Sequence, residues 1–133
     1  MQEQHLFEYA VIRIVPRVER EEFLNVGVIL YCKPLQFLQT LFTVDEERLK
    51  IFAGYLDMSV LCEHLNVFEK ICTGDITAGE IAKLDMASRF RWLTATRSTI
   101  VQTSKTHPGL CTNAKETLTK LHAQLVLAPE KEF

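Results

Sequence analysis

Along residues 7 to 17, "FEYAVIRIVPR", alternation places Phe7, Tyr9, Val11 and Arg13 on one side and Ala10, Ile12 and Ile14 on the other. A period of two with β-branched and aromatic residues on both sides predicts a strand covered on both faces. Pro16 has no N–H to give a ladder and marks its end. After the charged connector "RVEREEF", the run "NVGVILYCK" (25 to 33) reads as a second strand and "LQTLFTVD" (38 to 45) as a third beyond Pro34. Connections this short predict antiparallel neighbours, because a parallel return needs a crossover of about a dozen residues or more.

From residue 45 the period changes to 3.6. "DEERLKIFAG" reads as a short helix with acidic residues in its first turn and Gly54 as its stop. A longer helix starts at Asp57, carries Met58, Leu61, Leu65, Phe68 and Cys72 as one apolar stripe, and ends before Gly74. "ITAGEIAKLDMAS" fits either a loop or one or two helical turns. "RFRWLTA" and "STIVQTS" read as two further strands joined in a hairpin near "TATR", with Arg89 and Arg91 on one face and Phe90 and Trp92 on the other. "KTHPGLCT" reads as a connector. Asn113 with Glu116 three residues on resembles a capping box, and Leu118, Leu121 and Leu125 give the last helix its stripe up to Pro129. Strands, then helices, then strands and a helix predict an α+β domain: a mostly antiparallel sheet of four to five strands with two to four helices packed on it.

Length and composition agree with one domain over residues 1–133, with about residues 128–133 as a frayed end. The chain has 133 residues, 47% hydrophobic and 24% charged, as in an ordinary folded protein. No stretch approaches the roughly 20 apolar residues of a membrane span, and there is no secretory leader pattern, so a cytoplasmic location is expected. The four cysteines form no CxxC pair. Cys62 and Cys72 share a predicted helix about 15 Å apart, so all four are expected to be reduced thiols.

Charge changes the picture in one place. Between Met86 and Lys115 stand five basic residues (Arg89, Arg91, Arg97, Lys105, Lys115) and no Asp or Glu, while the rest of the chain carries 10 basic against 17 acidic. If these charges converge they create a local positive field in a mildly acidic protein. Arg89, Arg91 and Arg97, with Ser98 and Thr99 at the predicted turn, have the donors to hold a phosphate or carboxylate; equally, they fit the wet face of a half-buried strand. Arg17 and Arg20 form a second cluster, interleaved with Glu19, Glu21 and Glu22. That is either a loop of mutually screened charges or a site in which Glu21 or Glu22 acts as acid or base beside the arginines.

Cys111 lies just ahead of a helix start and four residues after His107, a conceivable nucleophile pair, although free cysteine is more often a small buried hydrophobe. Cys62 and His64 point to different helix faces and make a poor metal pair. No phosphate loop, GxSxG elbow, HExxH or zinc spacing is present, so neither a metal nor a cofactor is expected. Overall basicity for nucleic-acid binding is lacking, though Phe90 and Trp92 would stack a base if exposed.

The blocks "YAVIRIVPRVEREEFLNVGVILYC" (9 to 32) and "RFRWLTATRSTIVQTSKTHPGLC" (89 to 111) together resemble the bacterial family catalogued as domain of unknown function 3037. In that family the position of Thr96 is usually proline and the segment around Gly79 reads glycine-proline; this chain departs at both. The resemblance implies a cytoplasmic bacterial protein with no established activity, and a protein partner, since members are often encoded beside HipA-like kinases.

Two functions are therefore expected to compete. One is a non-enzymatic partner or regulatory module whose arginines 17, 20, 89, 91 and 97 dock an acidic or phosphorylated surface. The other is a small enzyme or sensor acting on a phosphorylated small molecule or a nucleic-acid end. A homodimer through an exposed sheet edge stays open.

Overall fold

A computed structural model describes residues 3–97 and 99–128. Its sheet has five antiparallel strands: β1 (His5–Ile14), β2 (Leu24–Cys32), β3 (Phe37–Phe42), β4 (Val101–Thr103) and β5 (His107–Cys111). The order is β3-β2-β1, and the free side of β1 is shared by β4 at Ile12–Ile14 and β5 at His5–Tyr9. The helices are α1 (Glu46–Ala53), α2 (Met58–Thr73), α3 (Met86–Leu93) and α4 (Ala114–Leu125). None of these helices is long and apolar enough to cross a membrane.

The predicted alternation of β1 is realised, and it builds two cores. Ala10, Ile12 and Ile14, with Ile29 and Tyr31 from β2, face Leu49 of α1, Leu61, Leu65, Phe68 and Ile71 of α2, and Phe90 and Leu93 of α3. Phe7, Val28, Leu30 and Cys32 face the other way, onto Cys111 and the Ala114, Leu118 and Val126 side of α4. Helices thus cover both faces, and seven of the nine β2 residues are buried. Gly27 sits opposite Phe42, where an added Cβ would stand 2.7 Å from the ring and 2.8 Å from the Leu41 carbonyl oxygen. Glycine is needed there for space rather than for its backbone freedom.

The helix starts follow their capping residues. Asp45, Asp57, Asp85 and Asn113 each accept a backbone N–H from the first turn of α1 to α4 in order. Gly74 ends α2 in the left-handed region at φ 78°, and its N–H meets carbonyls of the last turn.

Two expectations fail. Residues 89 to 95 are not a strand, and no hairpin joins them to "STIVQTS": α3 runs through Met86–Leu93, and only Val101–Thr103 becomes a strand, paired with β1. Alternation fits Phe90 with Trp92, but the helical spacing Met86, Phe90, Leu93 fits as well, and Asp85 decides it by accepting from the Ser88 N–H at 2.7 Å. Phe90 and Leu93 are buried, whereas Trp92 is at the surface. The segment read as a connector instead contains β5. Pro108 is tolerated because β5 is an edge strand, and Gly109 leaves room for the Phe7 ring lying against it.

Candidate functional site

With α3 a helix, the basic segment no longer presents one charged face. Arg89 turns inward beside Gly74 and donates through Nη1 to the Leu84 carbonyl at 2.7 Å, bracing the end of α2. Arg91 lies on another side and donates to the two carboxylate oxygens of Glu8 of β1 through Nη1 and Nη2, at 3.1 and 2.7 Å. Arg97 follows α3, stacks 3.6 Å from the centre of the Trp92 ring and donates to the Trp92 carbonyl. Partial burial lowers its pKa from the usual guanidinium value.

Arg97 and Trp92 stand at a groove of about 410 Å³ between α2, the end of α3 and β4. Val67, Phe68, Ile71, Leu93 and Val101 supply apolar surface; Glu63 and His64 come from the α2 side, Thr99 and Thr103 from the strand side. None of the ion pairs among the described residues includes Arg97. The groove therefore combines apolar area with one positioned cation, which suits a ligand that is part apolar and part anionic.

The hydroxyls near Arg97 are largely committed to the backbone. Thr94 donates to the Phe90 carbonyl, Thr99 to that of Val101, and Thr103 to that of Thr94. Ser104 accepts from the Val11 N–H across the sheet at 2.9 Å. Ser98 lies outside the described residues.

Arg17 and Arg20 line a second concavity, of about 450 Å³, with Glu19, Glu22, Phe52 and Tyr55. Arg20 is paired with Glu22, and Arg17 stands 3.9 Å from Glu19 and 5.6 Å from the Tyr55 ring centre. Glu21 and Glu22 share a third concavity with Arg13 and Phe23. The structure thus brings Arg17 to Arg20 and Arg97 to Thr99, while the two clusters line separate hollows.

His107 and Cys111 lie four residues apart on one strand, about 13 Å along it. The His107 ring packs on Tyr9 instead, with centroids 5.3 Å apart. Burial and the neighbouring Cys32 raise the Cys111 pKa, opposite to the effect expected of a helix start. Burial also pushes the Cys72 thiol up to about 12. Of the four free cysteines only Cys62 is exposed. With a thiol-specific chromogenic reagent, Cys62 is expected to react in the native protein, and Cys32, Cys72 and Cys111 only on unfolding. Fast labelling of Cys111 in the native state, read by peptide mass mapping, would contradict this.

Sequence reasoning missed three groups: His64 and Glu63 as groove residues, and Arg13. The signal for Arg13 was a lone charge inside "AVIRIV". For the first two no sequence signal exists, because the groove depends on where α3 ends relative to α2.

These features define a small α+β domain of two helical layers around an antiparallel sheet, with an apolar groove edged by a stacked arginine. The chain matches the model of the family described as Protein of unknown function (DUF3037) over residues 9–126, and it belongs to that family. No curated protein and no solved structure matched it.

Proposed function

We propose that this chain is a non-enzymatic partner or regulatory module, and that an acidic or phosphorylated segment of a protein partner docks in the α2–α3–β4 groove. One observation carries the reading: Arg97, without a carboxylate partner among the described residues, is held on Trp92 beside five apolar side chains. Apolar area supplies the driving force, and a pre-placed cation supplies orientation with little further ordering of its long side chain. Arg17 and Arg20 add a second, more screened cationic contact. A HipA-like kinase encoded beside the chain, as the family resemblance implies, is the first partner to test.

The test is the dissociation constant of the chain for that kinase, by calorimetry, for the wild type and for Arg97→Ala. Weakening by about tenfold or more is expected, equivalent to one good charged contact. Unchanged affinity in Arg97→Ala, or no binding by the wild type, refutes the reading.

The competing reading, an enzyme or sensor for a phosphorylated small molecule or nucleic-acid end, is favoured by the presence of His64 and Glu63 in the same groove as Arg97. Its signature is a nucleotide, phosphorylated metabolite or short oligonucleotide that raises the melting temperature of the wild type but not of Arg97→Ala.

A further inference from the structure

Arg13 is the next-to-last residue of β1, a charge set among the apolar residues of that strand. None of the ion pairs among the described residues includes it, and its Nε, like that of Arg89, is buried without a hydrogen-bond partner among them. Unlike Arg89, whose Nη1 is spent on the Leu84 carbonyl, it makes no side-chain hydrogen bond among the described residues. Its guanidinium lies 3.9 Å from the centre of the Phe23 ring. Asn25 of β2 and Gln102 of β4 are its direct cross-strand neighbours, so two amides flank it on the same sheet face. The Asn25 amide nitrogen is spent on the Leu125 carbonyl, and the Gln102 one on the Thr99 carbonyl. A concavity of about 290 Å³ opens over Arg13 and Gln102, between Val15 and Phe23, with Glu21 and Glu22 also lining it.

A partly buried cation needs an acceptor, and a guanidinium offers parallel N–H groups that match the two oxygens of a carboxylate. The glutamates narrow the choice. Glu22 is already paired with Arg20, but Glu21 carries an unpaired negative charge among the described residues, which disfavours a doubly charged phosphate more than a singly charged carboxylate. We propose that Arg13, held flat on Phe23 between Asn25 and Gln102, is the anchor of a carboxylate-binding site in this concavity. The carboxylate belongs either to a free small acid or to the C-terminus of a peptide. This site shares Gln102 with the Arg97 groove but does not depend on the function assigned to that groove.

The experiment is NMR of the Arg13 Nε–H resonance in protein labelled at arginine nitrogen, assigned by its loss in Arg13→Lys. Sodium acetate, acetyl-dialanine acid, acetyl-dialanine amide and inorganic phosphate are titrated at matched ionic strength. A saturable shift is expected with acetate and the dipeptide acid, none with the amide, and about tenfold or more weaker binding of phosphate. Dipeptide acid binding about tenfold or more tighter than acetate assigns a peptide C-terminus, and equal affinities assign a free small carboxylate. Acetate should also raise the melting temperature of the wild type and of Arg97→Ala but not of Arg13→Lys. Should Arg13→Lys fail to fold, the resonance is assigned instead by its nuclear Overhauser contacts with the Phe23 ring, and the wild-type titration still decides. No saturable shift, or one matched by phosphate or by the amide, overturns the proposal and leaves Arg13 a structural side chain stacked on Phe23.

Discussion

Replacing Phe90 with alanine is expected to lower the stability of the chain by about 3–5 kcal/mol. The ring is fully buried, packs at 5.3 Å centroid distance on Tyr31 of the sheet, and belongs to the core built by α1, α2 and α3. Its loss leaves a cavity between two rigid layers, which closes poorly because the sheet on one side and α2 on the other are each fixed by their own contacts. Urea denaturation followed by circular dichroism reads this as a lower midpoint at unchanged slope. The same substitution at Trp92, which stands at the surface, should cost far less, and that contrast separates a helix at 86–93 from a strand. In a strand with Phe90 and Trp92 on one inward face the two losses would be similar.

The second large effect belongs to the opposite face. Leu118 is fully buried beneath α4 against Phe7, Val28 and Leu30. Leu118→Ala is expected to cost about 2–5 kcal/mol. Because the sheet separates the two cores, a milder pair, Phe90→Leu with Leu118→Val, should add to within about 0.5 kcal/mol in the double variant. Coupling well above that would mean that the cores respond as one. Native-state hydrogen exchange offers a second reading, since α4 should open more readily in Leu118→Val than in Phe90→Leu.

These stability effects bear on function through geometry. Arg97 is positioned by the Trp92 ring, and the Trp92 backbone is positioned by Phe90 and Leu93 beneath it. A substitution that loosens α3 would therefore disturb the groove without touching it. Partner binding by Phe90 variants should be compared with that of Leu118 variants of equal stability. A greater loss for the Phe90 series is the outcome that the position of α3 implies.

Much of the fold was written in local pattern. The two-faced alternation of β1, the unbroken apolar run of β2, the Asp57 start and Gly74 stop of α2, and the Asn113 cap of α4 all use signals contained within a few residues. Where the reading failed, the local signal was degenerate. Eight residues of α3 are too few to separate a period of two from one of 3.6 when Phe90 satisfies both, and β5 is a strand only because β1 offers it an edge.

The sequence by itself determined the α+β class, the antiparallel pairing of β1, β2 and β3, the two apolar faces and the concentration of positive charge after residue 85. The tertiary structure alone decided what became of that charge. Side-chain direction on a helix follows the 100° turn per residue, so Arg89 and Arg91 diverge, one to the end of α2 and one to Glu8. Arg97 is left beside an apolar groove, and Arg13 lies against Phe23 with no ion pair among the described residues, because those placements depend on how distant segments pack and not on any spacing along the chain.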